Sequence, residues 1–254
     1  MRKLRIRERK NSGQLLIVAA LAIAILISST TTYVHELSEE NLDTHPTVIN
    51  DFVFSIKQTT KDAMISSLAN VSNGGSRGML PENLDFLSRV LRSTHQSGIT
   101  DLKFTAFNTS GYIGGTRFLW NATDTGMSTA FANFTLQVYG DTSIDMKYAI
   151  NVTTTITVTA SYTTLAGGEK SVNLVFSVTN EEEPASAKNI TLFYSDAGNW
   201  TQVTFSDNSF ITDYGNGTYA AFFNVMVSDP VLISVHILDF RGIFVGAETT
   251  CFAS

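Results

Sequence analysis

Apolar and polar residues alternate through the middle of the chain, and this pattern limits the possible folds more than any other feature. In AINVTTTITVTASY, residues 149–162, the even-numbered positions are mostly apolar, and threonine and asparagine occupy most of the others. Because the side chains of a strand alternate between its two faces, this pattern predicts a long strand with one buried face. The stretch SVNLVFSVTN, residues 171–180, alternates in the same way and follows Gly167 and Gly168, which predicts a hairpin that turns at these two glycines.

Threonine, valine, phenylalanine and tyrosine remain frequent from Ile99 onward, and glycine or asparagine separates the runs. This composition is typical of antiparallel β-structure. We expect a β-rich segment over residues 99–145 and an antiparallel β-sandwich over residues 146–254. Cys251 is the one cysteine, so no intramolecular disulfide can form and the fold must depend on packing.

Two stretches before the β-rich part have helical periodicity. The first begins near Thr44 and Pro46 and has apolar residues at helical spacing as far as Leu68. The second, LPENLDFLSRVLRSTHQSG, has an early proline, one apolar stripe and a final glycine. These patterns predict a helical segment over residues 46–98. Together with a hydrophobic N-terminal helix and the sandwich, they predict the α+β fold class.

The N-terminus combines a basic leader, residues 1–13, with a predicted hydrophobic anchor helix and its acidic exit into solvent, residues 14–45. The leader has six basic residues and one glutamate, which leaves 11 basic and 22 acidic residues for the remainder. Residues 15–27 are all apolar, and with residues 28–34 they reach roughly 30 Å of helix, enough to cross a bilayer. Because basic flanks stay in the cytoplasm, we expect contact with membrane lipid, an acidic part outside the cell and no binding of nucleic acid.

The residues RKNSGQLLIV lead from the basic stretch through Gly13 and Gln14 directly into the apolar run. This resembles the class III signal of archaeal type IV pilins and archaellins over residues 1–35. The resemblance implies a cut between Gly13 and Gln14 on the cytoplasmic side, after which the helix is kept. Val18 occupies the fifth mature position, where many type IV pilins have glutamate. An uncleaved membrane anchor and a secretory signal peptide remain as alternative interpretations.

A second resemblance lies in DYGNGTYAAFFNV. Asn216-Gly217 stands where a type I′ turn needs two residues with positive φ, and Tyr219 follows to pack across the sheet. Residues 213–219 resemble the D-x-G-(D/N)-G-T-Y signature of immunoglobulin-like repeats in filamins and bacterial invasin-type adhesins. Over residues 170–254 this resemblance implies an immunoglobulin-like β-sandwich and no particular chemistry.

Eight Asn-x-Ser/Thr triplets, or sequons, are candidate N-glycosylation sites. The chain has 17 asparagines and 57 serines and threonines, from which about four sequons are expected by chance. All eight lie on the side that the charge rule places outside the cell. Their asparagines are Asn70, Asn108, Asn121, Asn133, Asn151, Asn189, Asn199 and Asn216.

No motif predicts catalysis. The four histidines, His35, His45, His95 and His236, have no metal-ligand partner at helical or strand spacing. His236 lies in an apolar strand and is interpreted as a structural histidine. The stretch EEEP, residues 181–184, is interpreted as a solvated loop between strands. We therefore expect no enzymatic activity, no cofactor and no metal site.

These features together predict an archaeal cell-surface glycoprotein of pilin-like organisation, a structural subunit of a surface filament or adhesion apparatus. Cleavage of the leader would free the apolar helix to pack against identical subunits. The alternative is an uncleaved single-pass anchor with a cytoplasmic N-terminus. Its extracellular domain would then bind surface glycans or surface-layer proteins.

Overall fold

The computed structural model describes residues 46–94, 99–109, 111–139, 143–205 and 210–254. The chain divides into two units, Met1–Phe54 and Ser55–Ser254. Of the first unit only residues 46–54 are described, and they are helical. The second unit contains every strand of the described chain.

The described chain has two helices and thirteen strands. The helices are α1, Pro46–Ser72, and α2, Met79–Thr94. The strands are β1 (Ile99–Ala106), β2 (Thr116–Ala122), β3 (Thr125–Tyr139), β4 (Ile144–Thr164), β5 (Lys170–Asn180), β6 (Glu183–Pro184), β7 (Ala187–Asp196), β8 (Asn199–Gln202), β9 (Phe210–Asp213), β10 (Thr218–Val225), β11 (Leu232–Asp239), β12 (Phe244–Thr250) and β13 (Phe252–Ala253).

The strands form two mainly antiparallel sheets. Sheet A has the order β1-β3-β4-β5-β10-β9, with β2 beside β3, β6 beside β5 and β13 parallel to β4. Sheet B has the order β12-β11-β7-β8. Strand β4 is 21 residues long and pairs with β3 along its first part and with β5 along its last part. Sheet A is therefore continuous from β1 and β3, the end that contacts the helices, to β5 and β10, the end that packs against sheet B.

The predicted α+β class is wrong, because most of the described chain is antiparallel β-sheet and only two of its elements are helices. The helical periodicity was real, but it says nothing about how much of the chain is strand. Neither helix in the described ranges is long and apolar enough to cross a bilayer. The predicted N-terminal hydrophobic helix falls within residues 1–45, outside the described residues.

Helix α2 and the part of α1 after Phe54 pack against one end of sheet A. Met64 of α1 and Leu84 of α2 are fully buried, as the apolar stripe of an amphipathic helix requires. The Oγ of Ser88 in α2 donates to the backbone oxygen of Leu102 in β1 at 2.6 Å. This contact joins α2 to the edge of the sheet that β1 forms.

At the other end, β4, β5 and β10 of sheet A face sheet B and enclose one hydrophobic core. Phe176 and Phe223 supply large buried side chains from sheet A, and Ile233 and Val245 supply them from sheet B. Alternate residues of each strand enter this core because the strand places successive side chains on opposite faces. The two sheets thus form a sandwich without any disulfide.

Two predictions for this end are confirmed. Residues 152, 154, 156, 158 and 160 of β4 are all buried, as the alternation indicated. Gly167 and Gly168 both have positive φ, 85° and 86°, and connect β4 to its antiparallel partner β5. Both features could be predicted because a strand's alternation and a glycine turn each depend only on residues that are close together in the sequence.

The turn between β9 and β10 differs from its prediction. Positive φ occurs at Gly215 (73°) and Gly217 (77°), whereas Asn216 does not have positive φ, so the predicted type I′ turn at Asn216-Gly217 is wrong. The Asn216 Oδ1 instead accepts a hydrogen bond from the backbone N–H two residues later at 3.1 Å. Tyr219 packs across the sheet as predicted, since its buried ring stacks on Phe176 at 5.3 Å between centroids.

The β2–β3 turn ties sheet A to the β12 edge of sheet B. Asp124, which has a φ of 63°, donates its backbone N–H to the Glu248 oxygen at 2.8 Å. Its carboxylate accepts a hydrogen bond from the Thr249 hydroxyl at 2.5 Å, and its backbone oxygen accepts one from the Val158 N–H at 2.8 Å. This junction fixes the position of β2 beside β12.

Candidate functional site

All eight sequon asparagines are exposed. Five of them lie on strands, one lies on a helix and two lie in connections. In chain order they are Asn70 in α1, Asn108 before β2, Asn121 in β2, Asn133 in β3, Asn151 in β4, Asn189 in β7, Asn199 in β8 and Asn216 before β10. A transferase could therefore reach each of these positions in the folded protein.

The strand sequons lie on the outer faces of both sheets. Asn133 and Asn151 alternate with buried residues of β3 and β4, so they face away from the core. The Asn151 Oδ1 accepts hydrogen bonds from the hydroxyls of Thr129 (3.0 Å) and Thr153 (3.2 Å). Asn189 faces outward from sheet B, because it has the opposite parity to Ile190 and Leu192, which contact the core. Sugars at these positions would extend from two opposite surfaces.

Lys170, the first residue of β5, is a buried cation that the sequence analysis missed. Its Nζ pairs with the Asp229 carboxylate and lies 4.8 Å from the centre of the Tyr162 ring. The Tyr162 hydroxyl donates to the same carboxylate oxygen at 2.6 Å. Lys170 has the same parity in β5 as the buried Val172 and Leu174, so the alternation itself could have identified it as an inward-facing charge.

The electrostatics of this cluster favour a structural role. The Lys170 ammonium that binds Asp229 lowers the pKa of that carboxyl group. The hydrogen bond to Asp229 raises the pKa of the Tyr162 hydroxyl. Burial raises the pKa of the Cys251 thiol to about 12. Because a thiol with this pKa is protonated at neutral pH, Cys251 is not poised to act as a nucleophile.

A second charged cluster joins the β11–β12 hairpin to sheet A. The Arg241 Nε lies 3.0 Å from Asp239 Oδ2, and Nη1 lies 2.8 and 2.9 Å from the two carboxylate oxygens of Glu181. The Arg241 Nη2 donates to Thr154 Oγ1 at 2.9 Å. Asp239 is fully buried, and its other oxygen accepts the Ile243 N–H at 2.8 Å. All charged groups of the cluster therefore have partners.

The interpretation of residues 181–184 as a solvated loop is wrong for Glu181. Its carboxylate binds Arg241 through both oxygens and also accepts the Thr153 N–H at 2.9 Å. Residues 182–184 are exposed, as expected, but Glu183 and Pro184 form the short strand β6 rather than a loop. The sequence could not separate Glu181 from its acidic neighbours, because its partner lies 60 residues away.

His236 is part of a row of aromatic rings on the outer face of sheet B. Its ring centre is 4.8 Å from that of Phe193 and 5.2 Å from that of Phe244. Burial lowers the pKa of His236, so its imidazole is neutral at neutral pH. The other three histidines, and the predicted processing residues Gly13 and Gln14, lie outside the described residues.

Within the described ranges, no group of three or more His, Cys, Asp or Glu side chains is arranged to hold a metal ion. The structure instead contains two charged clusters, around Lys170 and Arg241, that join separate elements. It also exposes the sequon asparagines. No protein-family model matches this sequence, and no curated protein matches it either.

Proposed function

We propose that this chain is an archaeal cell-surface glycoprotein that serves as a structural subunit of a pilin-like filament or adhesion apparatus. Two independent features support this function. One is the basic leader that runs through Gly13-Gln14 into an apolar segment, and the other is the set of exposed sequons. The first supports delivery to the membrane, and the second supports a location where sugars are attached.

The exposure of all eight sequon asparagines is the observation that carries the proposal. Chance predicts about four sequons in a chain of this composition, and a modified asparagine must leave room for a large polar group. A single buried sequon would have counted against modification. The distribution over both sheets and a helix is what a sugar-coated surface domain requires.

The strand order supports the resemblance to immunoglobulin-like repeats. The run β4-β5-β10-β9 opposite β12-β11-β7-β8 corresponds to the order A-B-E-D opposite G-F-C-C′ of immunoglobulin-type sandwiches. Such domains act as spacers and recognition modules in surface proteins. The fold alone does not choose between these uses.

The proposal and its alternative differ in the N-terminal segment: the leader is removed in the proposal and retained in the alternative. If the leader is removed after Gly13, residues 14–34 can bury their apolar side chains against the same residues of identical subunits. If the leader stays, its six basic residues cannot enter an apolar assembly without a large desolvation cost, and the chain remains a single-pass anchor. The extracellular part would then bind surface glycans or surface-layer proteins.

The experiment compares the wild type with Gly13→Val in the protein's own cells, with Ser12→Ala as the matched control. We expect the wild type and the control to begin at Gln14 and to appear in a sheared filament fraction. The Gly13→Val variant should keep residues 2–10 and stay in the membrane fraction. A wild-type protein that itself keeps residues 2–10 would favour the anchor, and one that begins beyond Ser28 would favour a secreted form.

A further inference from the structure

Sheet A has an open edge along the first part of β4. This strand pairs with β3 from its beginning but with β5 only from Thr154 onward, so residues 144–152 have a neighbour on one side only. The Glu181 N–H donates to the Thr153 backbone oxygen at 3.1 Å, on the side away from β3. Because backbone groups alternate in direction along a strand, the odd-numbered residues of 145–151 also point their N–H and C=O groups to that side. No residue in the described ranges forms a hydrogen bond with these groups.

Other edges of sheet A are covered by the chain itself. The Ser88 Oγ of α2 donates to the backbone oxygen of Leu102 at 2.6 Å, so a helix occupies the outer edge of β1. At the far end of β4, where β3 has ended, β13 pairs with Ser161 and Tyr162. No described element bonds to residues 145–151 in this way, and the odd-numbered ones are all exposed. A long uncovered edge of this kind is a template for pairing with another strand.

The charges on this edge are complementary to themselves. Asp145 and Lys147 have opposite charges and are both exposed on the outer face of sheet A. When two β4 strands pair antiparallel around Met146, Asp145 of each copy lies opposite Lys147 of the other. On the inner face the same register places Ile144 opposite Tyr148, so apolar side chains also meet. A pair centred one residue further along, on Lys147, would oppose two like charges.

The beginning of the β4–β5 pairing limits the register. Thr153 already bonds to Glu181 through both its N–H and its backbone oxygen. A register centred two residues beyond Met146 would place Ser143 of the second copy opposite Thr153, where no backbone group is free. The register centred on Met146 uses residues 143–149 only and stays clear of this contact.

We propose that this edge joins two copies of the chain through antiparallel pairing of their β4 strands around Met146. The pairing satisfies the free backbone groups of both copies and makes one continuous sheet of two copies of sheet A. The inference goes beyond the proposed function, because it requires neither cleavage of the leader nor glycosylation. The sequon residue Asn151 lies outside the paired residues 143–149.

A disulfide across the symmetry axis tests this pairing in the full-length protein with Cys251→Ala. The Met146→Cys variant places two thiols at a non-hydrogen-bonded pair, whose Cα atoms lie about 4.5 Å apart, within the range of a disulfide. In the matched control, Ala149→Cys, the two Cα atoms would lie about 20 Å apart. After mild oxidation in the protein's own cells, we expect a crosslinked dimer from the first variant and none from the control. Equal yields, no dimer with Met146→Cys, or its crosslink to a different protein would each overturn the inference.

Charge reversal in the Met146→Cys protein tests the register by a second route. Lys147→Asp places carboxylates opposite each other and should lower the rate of crosslinking about tenfold. Adding Asp145→Lys exchanges the two charges and should restore the rate. Because both side chains are exposed, neither change disturbs the core. An unchanged rate in the single variant, or no recovery in the double variant, would show that the two strands do not pair in this register.

Discussion

At Gly217, both the backbone conformation and the lack of space require a glycine. Its φ is 77°, and a Cβ placed there would lie 2.8 Å from the Val178 oxygen and 2.9 Å from the Ala185 nitrogen. Gly215 has a similar φ of 73°, but a Cβ there would meet no atom within 4 Å. We expect Gly217→Ala to lower the free energy of unfolding by about 2–3 kcal/mol and Gly215→Ala by about 1 kcal/mol, measured by chemical denaturation. Equal losses would mean that the neighbours of residue 217 move aside without cost.

His236 should make the stability depend on pH. Burial lowers its pKa in the folded state, so the unfolded chain binds the proton more readily. The free energy of unfolding should therefore decrease as the pH falls below about 6.5, the ordinary pKa of histidine. His236→Phe keeps an aromatic ring beside Phe193 and Phe244 but cannot be protonated. In thermal unfolding at a series of pH values, the wild type should lose more stability than this variant; parallel curves would contradict the assignment.

At the scale of elements, the charged cluster around Arg241 connects strands that are distant in the sequence. Arg241→Met would leave the fully buried Asp239 carboxylate without its cation, which should lower the free energy of unfolding by about 3–5 kcal/mol. The control is Arg89→Met, which breaks an exposed pair with Asp85 in α2, where both side chains are more than 60% exposed. This control should cost less than about 0.5 kcal/mol. Denaturant titration of both variants checks the contrast, and similar small losses would contradict it.

The elements themselves were the most predictable part of the fold. The periodicity that predicted a strand over residues 149–162 and a hairpin at Gly167-Gly168 depends on neighbours in the sequence, and the structure has both. Details that depend on distant partners were not predictable. Glu181 looked like a surface residue because Arg241 is 60 residues away, and the turn before β10 places positive φ on Gly215 rather than Asn216.

For the whole molecule, the continuity of β4 is the feature that could not be predicted from the sequence. Its 21 residues pair with β3 at the helical end and with β5 at the sandwich end, so one sheet runs through both parts. No local pattern in the sequence indicates that two segments share a sheet, because strand pairing is a long-range property. The sequons, in contrast, could be identified as candidate sites from the sequence, and the structure adds that every one of their asparagines is exposed.

The continuous sheet also has one covered face and one exposed face. The helices and sheet B occupy the same face of sheet A, since the buried apolar residues of β3 and β4 share one parity in the paired register. Along β4 the opposite face of sheet A carries mostly polar residues, among them Asn151, and Asn133 of β3 lies on the same face. A protein of this design can carry sugar on that face without disturbing its core.

Site-resolved mass spectrometry of the protein isolated from its own cells tests the account most directly, because it asks whether the exposed asparagines meet a glycosylating compartment. We predict sugar on several of the eight sequon asparagines, including Asn133 and Asn151 on the outer face of sheet A, and a first residue of Gln14. Eight unmodified sequons on a chain that retains its basic leader would contradict the proposed function.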